Sequence, residues 1–325
     1  MIPCCARPTV GSSCSGRLHL CHGLWHGGKL LNRRVPRGAG GRPPLPVILT
    51  VGVLAILLPA CSASQAAQPH PGSLLVVGDS VATQAAQALT HLAPGGTAIS
   101  VDSVMPGTAP CDWNHGFTDP TDGEFHKFAT DLEKVHPAIV AFVFTGNPGL
   151  SGPAAGCVDA NNPYDLSQLL ASYEGSLVEM GDKAASAGAT VYFEAPPPRN
   201  PAVPEGYDSQ KQENRGFHGN PAIASFYKSL AAQNSHWRYD DKAAIAVSTA
   251  NLDWMLTLPC QAWDAKLCAD GQVQVRVGGT DAIHLDEQGC GAIRFALGLE
   301  EGVLGTAPPD ATSVAAAVSG YGGCQ

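Results

Sequence analysis

Three residue types in this chain could act together on an acyl group: a serine, a histidine and an aspartate. Ser80 closes the run Leu74-Leu75-Val76-Val77-Gly78-Asp79-Ser80. Four apolar residues in a row read as a buried parallel strand. Val81, Ala85, Leu89 and Leu92 then fall on one face of a helix. Ser80 therefore stands at a strand-to-helix turn on the carboxyl edge of a sheet, where open α/β folds build their sites. The first amides of that helix point at whatever its hydroxyl attacks. A serine hydroxyl is a weak nucleophile at neutral pH and needs a base. An imidazole does this best when a carboxylate fixes its tautomer. Asp281-Ala-Ile-His284 offers both groups in a turn before a last apolar helix. Alone, each motif has a plainer use as a helix cap. Together they describe a nucleophile, a base and an orienting acid. Asp79 reads as a buttress of the nucleophile turn, and Asp286 as the cap of the last helix.

The elements that must position these residues alternate strand and helix. Strands are expected at 73–77, 97–104, 138–145 and 190–195. Helices are expected at 81–92, 123–135, 166–187, 222–233 and 287–301. A fifth strand is expected at Ala244–Val247, with Trp237–Tyr239 as the second choice. Gln272-Val-Gln-Val-Arg-Val277 alternates and reads as an edge strand or hairpin arm. Strands alternating with helices on short links imply an α/β fold. It should be a three-layer α/β/α, flavodoxin-like sandwich with a mostly parallel sheet.

The paired motifs resemble those of the SGNH (GDSL-type) hydrolases, a family of serine esterases and acyl-group enzymes. Their first block, Gly-Asp-Ser-Leu, matches Gly78-Asp79-Ser80-Val81, and their last, Asp-x-x-His, matches Asp281 to His284 with Gly289 beyond. Ser80, His284 and Asp281 take the catalytic positions. The family's second block gives an oxyanion-hole glycine, and Gly107 in Val104-Met-Pro-Gly-Thr108 matches it. The third block, Gly-x-Asn-Asp, matches Phe144-Thr-Gly-Asn147-Pro148, with the glycine displaced by one and Pro148 where Asp is usual. The resemblance thus implies an oxyanion hole of the Ser80 and Gly107 amides and the Asn147 side chain. It covers residues 73–305. It implies an esterase that needs no metal or cofactor and acts on esters of lipids, small acyl groups or acetylated cell-surface sugars. Two alternatives remain: an O-acyltransferase on cell-envelope glycans, and a catalytically silent cell-wall binding module of the same fold.

Charge and N-terminal sequence speak to location. The 325 residues carry a formal net charge of −9, with 19 basic and 28 acidic side chains. Residues 1–61 hold seven of the basic residues and no acidic one, leaving the remainder strongly acidic. An acidic body argues against nucleic acid as partner. The basic head precedes the apolar run Leu45–Leu58, which is short for a spanning helix and has the flank of a signal peptide. The run ends Leu58-Pro59-Ala60-Cys61, which looks like a bacterial lipobox with Cys61 as the lipidated residue. An uncleaved single-span anchor and plain cleavage nearby are the other readings. Either route exports the chain, tethered on the outer face of the membrane or secreted. Residues 1–44 read as a disordered or non-mature stretch, 45–61 as signal peptide or anchor, 62–72 as linker, and 306–325 as a tail. Arg33-Arg34 would suit a twin-arginine route, but export of the unfolded chain fits the cysteines better.

Six cysteines lie in the body: Cys111, Cys157, Cys260, Cys268, Cys290 and Cys324. In an exported domain they imply up to three disulfides and fifteen pairings on paper. Order along the chain suggests Cys111 with Cys157, Cys260 with Cys268, and Cys290 with Cys324. Pro196–Gly219 is a Pro- and Gly-rich insertion at the active edge, either a substrate-facing wall or lid or a plain loop. Asn251–Gly271 carries Trp254 and Trp263, a candidate platform whose commoner use is packing. His115, His126 and His136 match no ligand spacing and read as surface or loop residues. Asn114 is the second candidate for the oxyanion amide.

Overall fold

The computed structural model describes residues 70–93, 95–150, 165–203, 207–208, 213–214, 217–265, 268–286, 290–306 and 310–315. All belong to a compact unit spanning Ala63–Gln325. Along the chain run β1 (His70–Gly78), α1 (Ser80–Leu92), β2 (Ala98–Val104), α2 (Pro110–His115), β3 (Phe117–Thr118), β4 (Phe125–His126), α3 (Phe128–Val135) and β5 (Pro137–Val143). There follow α4 (Leu166–Ser186), β6 (Thr190–Glu194), β7 (Tyr207–Asp208), β8 (Glu213–Asn214), α5 (Pro221–Ala231), β9 (Trp237–Asp240), α6 (Lys242–Ala246), β10 (Thr257–Pro259), β11 (Gln272–Gln274) and α7 (Gly291–Leu304). No described helix is long and apolar enough to cross a membrane. The apolar run at 45–58 and Cys61 lie outside the described residues.

The central sheet has the order β2-β1-β5-β6-β9, and every pairing in it is parallel. This is the flavodoxin-like arrangement, with β1 second from one edge. Because side chains alternate along a strand, β1 splits its apolar run between two cores. Leu74 and Val76 face a layer that includes α1, α6 and α7. Leu75 and Val77 face one that includes α3, α4 and α5. All four are fully buried, each withdrawing side-chain surface worth about 1.5–3 kcal/mol. The three layers, helix, sheet and helix, follow directly.

Four expectations need correction. The fifth strand is Trp237–Asp240, and Lys242–Ala246 is helical. Lys242-Ala-Ala-Ile-Ala246 is a strong helix-forming run, while Trp-Arg-Tyr-Asp alternates and fits a pleated surface. The helix expected from Gly123 begins only at Phe128, because Phe125–His126 pairs with Phe117–Thr118 as a small hairpin. The last helix begins at Gly291 with Cys290 at its N-cap, not Asp286. The backbone of Asp286 is tied on both sides: its N–H donates to Val275 O and its carbonyl accepts from Gly291 N. Gln272–Gln274 is a hairpin arm, paired antiparallel with Thr257–Pro259. β1 begins at His70, so the expected linker gives its last three residues to the strand.

Candidate active site

The nucleophile turn is held by Asp79. It is the N-cap of α1, its Oδ1 accepting from Val81 N at 3.1 Å. Its other oxygen accepts from Thr145 N, Thr145 Oγ1 and Asn147 Nδ2 at 2.7, 2.7 and 2.9 Å. The carboxyl is fully buried. Burial pushes it up, and the donors from Thr145, Val81 and Asn147 pull against that. One side chain thus fixes both the start of the nucleophile helix and the end of β5. Ser80, the first residue of α1, is half-buried and not enclosed.

Asp281 and His284 sit in a tight excursion that leaves and returns to the chain through an antiparallel bridge between Arg276 and Leu285. Asp281 folds this turn on itself, its Oδ1 accepting from Ile283 N and His284 N at 2.9 and 2.6 Å. Its Oδ2 lies 2.8 Å from His284 Nδ1, and His284 Nε2 lies 2.9 Å from Ser80 Oγ. A carboxylate only accepts, so Nδ1 carries the proton and Nε2 is left to accept from the serine hydroxyl. Burial would raise the Asp281 carboxyl. The hydrogen bond and charge of His284, with the two backbone donors, outweigh it and hold the group down at about 2.

Two residues that the sequence did not single out hold this turn in place. Gln84, one turn along α1 from Ser80, grips Leu285 at both backbone groups. Its Nε2 donates to Leu285 O at 3.1 Å, and its Oε1 accepts from Leu285 N at 3.0 Å. Arg276 is buried and donates to Ile283 O at 2.6 Å, Val247 O at 3.3 Å and Pro198 O at 3.4 Å. Burial pulls its guanidinium down to about 9, with Asp281 opposing.

The expected oxyanion residues come from neighbouring strands. Gly107 lies in the turn after β2, where Met105 N and Thr108 Oγ1 both donate to Gly78 O. That turn is thereby pinned to the end of β1. Asn147 lies just past β5 and is 6% exposed. Its carbonyl accepts from Tyr173 Oη at 2.6 Å. Its amide nitrogen donates to Asp79, and its Oδ1 lies 2.5 Å from His218 Nε2. His218 is a third residue without a local signal in the sequence. Asn114 does not join this group: in α2 it donates to Glu179 of α4 at 2.7 Å.

The ends of the Pro196–Gly219 insertion line the same edge. Asn200 N donates to Ala282 O at 2.7 Å. At the other end Phe217 N donates to Gly146 O and Gly219 N to Thr145 O. The approach is so close that a Cβ on Gly146 would meet Phe217 O at 2.6 Å, and one on Gly219 would meet Pro197 O at 2.5 Å. Both glycines also have positive φ, at 117° and 64°. A cavity of about 360 Å³ opens beside the histidine, bordered by His218, Val277, Thr280, Asp281, Ala282 and His284. Trp254 and Trp263 do not border it. Trp263 instead lies under the Arg294 guanidinium, which pairs with buried Asp264 at 2.6 Å.

Cys260 and Cys268 form a disulfide, and Cys111 and Cys290 are each disulfide-bonded. Cys157 and Cys324, their expected partners, lie outside the described residues. Asp119, Asp122 and His126 bring ligand atoms within 4.8 Å of one another on the hairpin of β3 and β4. His126 also stacks on Phe117, so its ring is part of the packing there.

No family model matches the chain, and no curated protein matches it. Solved structures do. A GDSL-like lipase from Bacteroides thetaiotaomicron is similar at 13% identity and a TM-score of 0.34, over 63% of this chain and 82% of that one. The catalytic domain of peptidoglycan O-acetyltransferase A from Streptococcus pneumoniae is similar at 15% and 0.33, over 77% and 93%. A mutant acetyl-xylooligosaccharide esterase from Geobacillus is similar at 14% and 0.39, over 72% and 94%. These likenesses are too distant to add to the residues themselves. The resemblance to the SGNH hydrolases rests on four blocks in the family's order, set on a parallel sheet.

Proposed function

We propose that this chain is an exported serine hydrolase of the SGNH type that cleaves carboxylic esters. The observation that carries this reading is the hydrogen-bonded line from Ser80 Oγ through His284 to Asp281. In this mechanism His284 Nε2 takes the hydroxyl proton as Ser80 Oγ attacks the ester carbonyl. Asp281 keeps Nδ1 protonated and steadies the imidazolium that forms. The amides of Ser80 and Gly107 and the side chain of Asn147 receive the oxyanion. His284 returns its proton to the departing alcohol, leaving an acyl-Ser80 ester. Water, deprotonated by the same nitrogen, then frees the acid and restores the serine. No step draws on a metal or cofactor.

Export is part of the proposal. Disulfides in the body support an oxidising compartment, and the basic head, apolar run and Cys61 support a lipid-anchored route. A fluorophosphonate probe tests the central claim. It should form one adduct, on the peptide containing Ser80. Folded protein that does not react, or reacts elsewhere, overturns the reading.

Asn147 carries a separate expectation. Losing one oxyanion donor costs about 100- to 1000-fold in kcat. Asn147→Ala should show that loss with KM within a few-fold. Asn114→Ala, which breaks the ties to Glu179 and Lys183 on α4, should lower stability by about 1 kcal/mol and leave kcat unchanged. The reverse pattern in ester-hydrolysis assays would place the oxyanion elsewhere.

A further inference from the structure

Asn147 can serve an oxyanion only if its amide faces the right way. An amide has two near-identical ends, and a flip would present an oxygen to the developing negative charge. Its surroundings select the orientation. Asp79 is an acceptor, so the end facing it must be the NH2 group. The other end is then the carbonyl oxygen, and His218 Nε2 lies against it at 2.5 Å. For that contact to be a hydrogen bond, Nε2 must bear a proton. One of the two amide hydrogens of Asn147 is committed to Asp79, which leaves the second for a substrate oxygen.

We propose that His218 is a positioning residue for ester cleavage: it donates to Asn147 Oδ1 and so holds the amide with its N–H toward the reacting carbonyl. This rests on the serine-hydrolase reading above. The segments that carry the two residues are already laced by backbone bonds, Phe217 N to Gly146 O at 2.9 Å and Gly219 N to Thr145 O at 2.7 Å. The backbone of Asn147 is held independently by Tyr173. The imidazole is therefore not what joins the loops. Its contact with Asn147 is side chain to side chain, and its ring borders the cavity that His284 also lines. The close approach required of Gly146 and Gly219 serves the same end, since it brings the histidine within reach of the amide.

The test is a kinetic cycle. His218→Ala should lower kcat by about 10- to 100-fold with KM within about 3-fold, because orientation of the donor matters most in the transition state. In an Asn147→Ala background the same change should cost less than about 3-fold, because the group it positions is gone. Losses that multiply would overturn the proposal and point to proton chemistry by His218 itself. His218→Gln and His218→Met carry the test if the alanine variant does not fold. They are similar in size, and only glutamine can donate. Gln should retain most of kcat and Met should lose it; equal rates overturn the proposal. Each variant is also labelled with the fluorophosphonate. Wild-type protein that fails to label removes the hydrolase reading and this role together. Wild-type protein that labels, with His218→Met turning over at the wild-type rate, removes only the role of His218.

Discussion

Replacing Ser80 with alanine should leave a folded protein whose ester hydrolysis falls by about 10⁴- to 10⁶-fold in kcat. The expectation of intact folding is as specific as the loss. The start of α1 is fixed by the Asp79 carboxylate and by Thr83 N bonding Asp79 O, neither of which involves the serine hydroxyl. Ser80 Oγ contacts His284 Nε2 at 2.9 Å. Alanine is the best helix former and fits the first helical position, so stability should stay within about 0.5 kcal/mol. Thermal unfolding followed by circular dichroism checks the fold, and turnover of a chromogenic ester checks the chemistry. Wild-type turnover by a well-folded Ser80→Ala protein would remove the nucleophile assignment.

Asp281→Asn should cost about 10⁴-fold in kcat, for a reason of tautomers rather than charge alone. Asparagine can keep its oxygen on the backbone amides of Ile283 and His284, so the turn survives. Its nitrogen then faces Nδ1 and donates to it. The imidazole must put its proton on Nε2, where the serine proton has to go, and the base is blocked. Stability should respond to pH as well. The folded carboxyl lies at about 2 against 3.8 ordinarily. Because the folded value is depressed, the stabilisation is present above about pH 4 and is lost as pH falls toward 2. Asp281→Asn should lack that part of the acid limb. Denaturation midpoints of both proteins across pH 2–5 read this directly; parallel curves would mean Asp281 is not held as an anion by His284.

What the sequence makes legible is what is local. Leu74–Val77 is a buried strand by its unbroken apolar run, and the turn at Gly78-Asp79-Ser80 ends it in the structure. Asp281 and His284 are three residues apart, so a single turn brings them together. The errors arise where two local signals compete. Ala243-Ala244-Ile245-Ala246 is apolar enough for a strand, but its alanines favour a helix. Asp286 has a capping side chain, yet the chain runs on to Cys290 before the helix starts. The residues that hold the site are the least legible. Gln84 reaches Leu285 across 201 positions, and His218 reaches Asn147 across 71. A glutamine on a helix and a histidine in a loop have no periodicity or spacing that marks them. Only the packing of the whole sheet edge brings them to their partners.

The contact between Ser80 and His284 joins positions 204 residues apart. If the chain is exported unfolded with its amino end leading, as proposed above, the serine is delivered early and the imidazole late. Through most of that passage the hydroxyl has no base, and on the mechanism above it is inert. The helix that carries it must also wait for partners, since α1 packs against α7 from the far end of the domain. Competence is therefore reached only near the end of delivery, and all at once. On the exported-hydrolase reading proposed above, the order of the sequence itself would keep the serine inert until the domain is complete.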